Sequence, residues 1–227
     1  MSQVMSAWGP LDIGVKRNHQ RAYVLLGNDL LRIFEFIEPV PANGCCYGHQ
    51  IYQLYLRVCT ELEAVCKLAC RRLDFPVRHS KKGVPLDWNM HHDYSKLNEQ
   101  LGCCLHDSCS TSSSKPKLSD YKFYFHDWGV SETPICPLES FANGQDPSPL
   151  FYKSYNDVKH DREKAFKQAN LANLMNSFAA LIAVLDWQGI SVDSHIVADC
   201  SGETVIGARF GYFLNCESQE LTARVNF

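Results

Sequence analysis

No stretch of this sequence comes near the roughly 18 uninterrupted apolar residues that a membrane-spanning helix needs. Its best run, Phe178 to Leu185, is far too short. Met1 to Pro10 has neither the basic start nor the apolar stretch of a secretory leader. Neither G-x-x-x-x-G-K-[ST] nor G-x-G-x-x-G occurs, which removes the nucleotide folds built on those phosphate-cradling loops. An excess of positive charge is missing too: 22 Lys and Arg stand against 25 Asp and Glu, a net charge of -3. That excludes a molecule cationic overall and leaves room for a local basic surface. Cysteine is the residue in surplus. Eleven of them, an odd number at partly helix-core spacing and without an export signal, point to reduced thiols in a cytoplasm.

The 227 residues, 45% apolar and 21% charged, suit one sizeable core with a small appendage. The strongest periodicity runs from Ile51 to Cys70. Ile51, Leu54, Tyr55, Val58, Leu62, Val65, Cys66 and Ala69 follow the three-four spacing of a buried helix face, with Arg57, Glu61 and Lys67 opposite. This helix should end near Leu73, ahead of Pro76. Leu30 to Ile37 reads as a shorter helix beside it, stopped by Pro39. A second long helix is anchored at Leu171, with Leu174, Met175, Phe178, Leu181, Ile182 and Leu185 in a stripe and Gly189 as its stop. Two such helices facing one another make the centre of a bundle.

Lesser elements surround them. Asp93 to Leu105 reads as a short helix and Tyr121 to Phe125 as a strand. The serine-rich Ser108 to Ser119 reads as a mobile surface loop within one domain. Val205 to Leu214 and Leu221 to Phe227 have the β-branched, aromatic character of a hairpin. The expected architecture is therefore mainly α: a helical bundle over residues 1–190, with 191–227 as a C-terminal extension carrying a small β-hairpin.

Two segments carry chemistry-bearing side chains. Arg71, Arg72, Arg78, His79, Lys81 and Lys82 face only one offsetting carboxylate, Asp74. They fit a solvated helix end, where cations complement the dipole, or a phosphate-contacting patch in which Arg71, Arg72, Lys81 and Lys82 bind substrate. The second segment is Tyr152 to Arg162. As one helix it would place Tyr152, Tyr155, Asn156, Lys159, His160 and Glu163 on a single face. His160 is its natural proton-transfer group near neutral pH. Lys159 and Arg162 could hold a phosphate, and Asn156 could orient the imidazole. The bland alternative makes His160 and Arg162 a buried polar tie between the two long helices.

The run SYNDVKHDREKAFKQANLANLMNSFAAL resembles the Tyr-Asn-x-x-Lys-His-x-Arg segment of bacterial proteins in the HEPN-like group. The helix carrying Thr60, Glu61, Leu62 and Glu63 resembles their upstream helix. The resemblance implies an α-helical bundle, dimerisation through the motif helix and, in active members, metal-independent RNA cleavage without a cofactor. A role in bacterial defence or stress response follows from the same analogy. On this pattern His160 would be the catalytic histidine, served by Asn156, Arg162 and Lys159, with Lys153 and Tyr155 in substrate contact. In active members an arginine precedes the histidine by four to six intervening residues; those positions here hold Lys153, Ser154 and Tyr155. Lysine supplies charge without the planar fork of arginine.

Two other readings stand beside it. One is a non-catalytic helical interaction module. The other is structural zinc held by Cys103, Cys104, His106 and Cys109 together with Cys45, Cys46 and His49, although neither group has C-x2-C spacing. Cys59, Cys66 and Cys70 are small hydrophobes of a helix core.

Overall fold

The computed structural model describes residues 9–90, 92–100, 117–125, 135–142, 148–190 and 222–225. It is a mainly helical bundle. Its helices are α1 (Ile13–Phe34), α2 (His49–Arg72), α3 (Leu150–His160), the one-turn α4 (Arg162–Ala165) and α5 (Leu171–Trp187). None of the described helices is long and apolar enough to cross a membrane.

α5 is the axis. The expected apolar stripe is there, but burial extends all round the helix: every residue from Ser177 to Gln188 is buried. A helix apolar on every side has no wet face and must be enclosed. Ser177, Asp186 and the cap residue Gln188 each take part in a hydrogen bond. The Ser177 hydroxyl donates to the Leu174 carbonyl at 2.7 Å, and the Tyr121 hydroxyl donates to Asp186 at 2.8 Å. Gln188 Nε2 donates to the Val65 carbonyl at 2.9 Å.

α2 packs along α5, and the two run parallel. At their starts the Leu171 amide donates to the Cys46 carbonyl at 2.8 Å; at their ends Arg72 Nη1 donates to the Gln188 carbonyl at 2.9 Å. Both helices stop in the same way. The Ile190 amide reaches back to Leu185 and the Gly189 amide to Asp186, with Gly189 at φ 72°. In α2 the Phe75 amide reaches Cys70 and the Asp74 amide Arg71, with Asp74 at φ 49°. These paired bonds satisfy the last carbonyls of a helix and need a left-handed residue after the cap, which glycine adopts freely and aspartate tolerates.

α1 runs antiparallel to α2: His19 meets Glu61 at 2.6 Å, and ten residues on Asp29 accepts from Arg57 at 2.6 Å. The helix expected at Leu30–Ile37 is thus only the end of a 22-residue element, and it stops at Phe34 rather than Ile37. Its start is set by Asp12, whose carboxylate accepts from the Val15 amide at 3.0 Å. The expected helix at Asp93–Leu105 is a 3-10 segment over Tyr94–Glu99 that buries Tyr94 and Leu97; residues 101–105 lie outside the described ones. So does most of the serine-rich stretch, although Leu118, at its end, is fully buried in a 3-10 turn over Leu118–Asp120.

The expected strand forms as β1 (Lys122–Phe125). Its partner is β2 (Thr222–Val225), paired in parallel with Lys122 opposite Thr222. Parallel strands need a long crossover, here the chain segment containing α3, α4 and α5. Val205 to Leu214, the other arm of the expected hairpin, lies outside the described residues.

Cys59, Cys66 and Cys70 sit in the core as their spacing suggested. Burial, with the nearby Asp93 carboxylate adding to it, pushes the Cys70 thiol up to about 12. Burial likewise holds Cys59 and Cys66 well above the ordinary thiol value. Only the thiolate alkylates. Native protein treated with iodoacetamide at neutral pH should therefore be modified at exposed Cys45 and spared at Cys59, Cys66 and Cys70 until denaturant is added. Peptide mapping reads this directly, and native labelling of the three at the rate of Cys45 would contradict the packing.

Candidate functional site

The Tyr152–Arg162 segment is helical, but not as one element. α3 ends at His160, and Asp161, at φ -140° and ψ 71°, breaks the helix and caps α4, its carboxylate accepting from the Lys164 amide at 3.4 Å. Glu163 therefore does not continue the face of Tyr152, Tyr155, Asn156 and Lys159, and Arg162 leaves the segment in another direction.

The first half of the segment is tied into the core. Tyr152 donates to Glu63 Oε1 at 2.5 Å, and the Tyr55 hydroxyl donates to the Phe151 carbonyl. Tyr155 is buried edge-on against Tyr55, with ring centroids 6.3 Å apart. Burial, reinforced by Glu63 for Tyr152 and by Cys59 for Tyr55, raises both phenols far above their ordinary value, so they remain neutral donors. Lys159 lies 5.2 Å over the Tyr155 ring. Its slight burial works against the charge, but the Tyr155 hydroxyl and the Glu63 carboxylate outweigh that and hold the ammonium above its usual value. α3 and the Thr60–Glu63 stretch of α2 thus meet in space through Glu63. Tyr152→Phe should cost about 1–3 kcal/mol, because Glu63 would lose a donor it cannot fully replace with water. A urea titration measures it; an unchanged midpoint would mean the bond contributes nothing.

His160 is placed differently. It is exposed at the end of α3 and makes no hydrogen bond among the described residues. It lines an open groove of about 330 Å³ with Asn156, Asp157, Asp161, Lys164, Ala165 and Gln168. Asn156 is one helical turn before it. The groove's one cation, Lys164, is paired with Asp161 at 2.9 Å.

Arg162 turns away from this groove toward the start of α2. Its Nη2 donates to His49 Nδ1 at 3.0 Å, and its guanidinium lies 4.7 Å over the Tyr52 ring and 5.6 Å over the Phe166 ring. The segment before α2 is strapped onto α5: the Ala172 amide donates to the Gly44 carbonyl at 3.0 Å, and Tyr47 bridges Asn170. A side chain on Gly44 would meet Ala172 Cβ at 3.3 Å, so this close approach favours glycine.

The basic stretch lies at the far end of α2. At ~1.5 Å per residue, Arg71 stands about 33 Å from His49 along the helix axis, so one protomer does not bring the two stretches into a single pocket. Arg72 clamps the Gly9 and Gln188 carbonyls, and Arg78 grips buried Asp93 through two donors at 2.7–3.0 Å. Arg71, Lys81 and Lys82 are exposed, the two lysines in the turn closed by Ser80 and Val84. Lys153 is half-buried. Among the described residues no group of three or more His, Cys, Asp or Glu is arranged to hold a metal; Cys103, Cys104, His106 and Cys109 lie outside them.

No family model, curated protein or solved structure matches the chain. Sequence reasoning noticed His49 only beside Cys45 and Cys46 and passed over Tyr47, Tyr52 and Phe166. The one available signal was Asp161 ahead of Arg162–Ala165, an N-cap that splits the motif and sends Arg162 to α2.

Proposed function

We propose that the chain is a HEPN-like helical bundle that binds RNA and cleaves it without a metal, with His160 as the proton-transfer residue. The observation that supports this reading is the contrast within the motif. Tyr152, Tyr155 and Arg162 are engaged with neighbouring elements, whereas His160 stands exposed, without a hydrogen-bond partner among the described residues, in an open groove beside Asn156. In the reaction the imidazole takes the proton from a ribose 2′-hydroxyl. The oxygen attacks the adjacent phosphorus, the 5′-oxygen leaves with a proton, and a 2′,3′-cyclic phosphate remains. Asn156 orients the imidazole or a phosphate oxygen.

The groove of one protomer is poor in free positive charge, since Asp157 and Asp161 line it and Lys164 is paired. A homodimer that brings a cation from a second copy across α3 would supply the charge that phosphorane stabilisation needs. The engagement of Tyr152, Tyr155 and Arg162 in packing favours a second reading, a non-catalytic interaction module. Incubation of the purified protein with RNA in EDTA separates the two. Cyclic-phosphate ends and a dimeric mass by light scattering are expected. Intact RNA over protein concentrations spanning the dimerisation range would leave the interaction module.

A further inference from the structure

Beside the His160 groove, across Asp161, lies a second cluster of exposed and half-buried groups. Arg162 rests on the Tyr52 and Phe166 rings with its Nη2 on His49. Tyr47 meets Phe166 edge-on at 5.9 Å, the His49 ring lies 5.1 Å from Phe166, and Lys167 Nζ stands 5.9 Å over Tyr47. Because a guanidinium only donates, His49 Nδ1 accepts, and the imidazole carries its proton on Nε2. Arg162 therefore has a neutral partner and forms no ion pair among the described residues. The nearby carboxylates do not neutralise it: Asp161 is taken by Lys164, and Glu163 points to solvent on the same turn.

An arginine that serves only to fasten two helices commonly meets a carboxylate or backbone carbonyls, as Arg78 and Arg72 do in this same molecule. Arg162 instead lies over two rings with donors still unused and its positive charge uncompensated. Planar rings at the surface, with two cations and an Nε2–H donor around them, match two features of one ligand unit: a flat base that stacks and a phosphate that accepts charge-assisted hydrogen bonds. His49 is also the first residue of α2, so an anion held by it lies at the positive end of that helix dipole.

We propose that Tyr47, His49, Tyr52, Arg162, Phe166 and Lys167 form a nucleotide-binding platform, on which a base stacks against Tyr47 and a phosphate is held by Arg162 and Lys167. The inference deepens the RNA-directed reading above by separating docking from cleavage: the platform holds a nucleotide flanking the one presented to His160. The ligand chemistry is that of a nucleoside phosphate, met either as a free mononucleotide or as a unit of a strand.

The test is fluorescence anisotropy on the full chain with a labelled 2′-O-methyl oligoadenylate of about 12 nucleotides, within the length range of single-strand sites. This probe lacks the 2′-hydroxyl and cannot be cleaved, so binding is read without catalysis. Arg162→Gln and Tyr47→Ser should each weaken binding about tenfold, and Lys167→Gln should flatten its salt dependence. Tyr47 and Lys167 are at the surface, so their variants test the platform even where Arg162→Gln perturbs the α2–α4 contact. Competition by adenosine monophosphate at comparable affinity identifies a free nucleotide as the occupant; much weaker competition identifies a strand. Parent protein that binds neither probe, or platform variants that bind as the parent, overturns the platform. RNA cleavage that persists with parent-like binding in those variants sinks the platform alone. Platform-dependent binding without cleavage sinks the catalytic role of His160 alone.

Discussion

Phe178→Ala is expected to lower the unfolding free energy by about 3–5 kcal/mol, the range for truncating an enclosed aromatic ring. Phe178 is almost fully enclosed on α5, and its ring lies 5.6 Å from that of Tyr23 on α1. It therefore joins two helices that are otherwise held mainly through α2. The helix around it is buried on every side, so no solvent-facing groups can move in and no loop can collapse into the gap. Lost transfer energy and the residual cavity add together at such a site. For a domain of this size, each kcal/mol moves the melting temperature by about 2–4 °C, so a fall of about 10 °C or more is expected. A chemical-denaturation midpoint measures the same quantity. A loss below about 1 kcal/mol would show that α1 packs on α5 more loosely than the ring geometry indicates.

His160→Ala is expected to remove about 10²–10⁴-fold of the RNA-cleaving rate, the range a positioned general acid–base group supplies. Its stability should stay within about 0.5 kcal/mol of the parent, as for surface changes away from caps, cores and networks. Both halves come from the same geometry. The imidazole is exposed and bonded to no described residue, so truncation opens no cavity and orphans no buried group. It stands in an open groove one turn from Asn156, so truncation removes the groove's one imidazole. Tyr152→Phe should show the reverse profile, with stability lost and any slowing traceable to a loosened α3. An inactive His160→Ala that also melts well below the parent would place the histidine in the structural tie rather than in chemistry.

The periodicity of α2 and α5 made those two helices readable, because each repeats apolar residues at three-four spacing over four or more turns and each stops in a left-handed residue before a change of direction. The front of α1 was not readable. Gly14, Asn18 and Gly27 dilute its pattern, and its buried residues include Gln20, which no apolar count detects. The total burial of α5 was hidden for a different reason: a stripe and a fully enclosed helix share the same apolar positions, and only tertiary contacts distinguish them. β2 falls inside the Leu221–Phe227 stretch that reads as β, but its pairing with β1 was out of reach because parallel partners lie far apart in sequence. In the candidate site, the helix over Tyr152–His160 was legible and its meeting with Glu63 was not, since 89 residues separate the bonded pair. A single residue, Asp161, decided the rest. By ending α3 it left His160 on one side and delivered Arg162 to a set of rings on the other.

The three core thiols of α2 also make the bundle self-reporting. Cys59, Cys66 and Cys70 span about 16 Å of one helix at ~1.5 Å per residue, and each becomes reactive only when its own stretch of the α2 wall parts from what covers it. Where closing outpaces modification, the labelling rate of each thiol is the rate of the free cysteine multiplied by the fraction of time its site is open, so it measures a local opening free energy. Three rates that coincide would mean that α2 detaches as one cooperative unit. A gradient from Cys70 to Cys59 would mean that the helix unzips from its C-terminal end, where Arg72 and Gln188 hold it, toward the turn that carries His49.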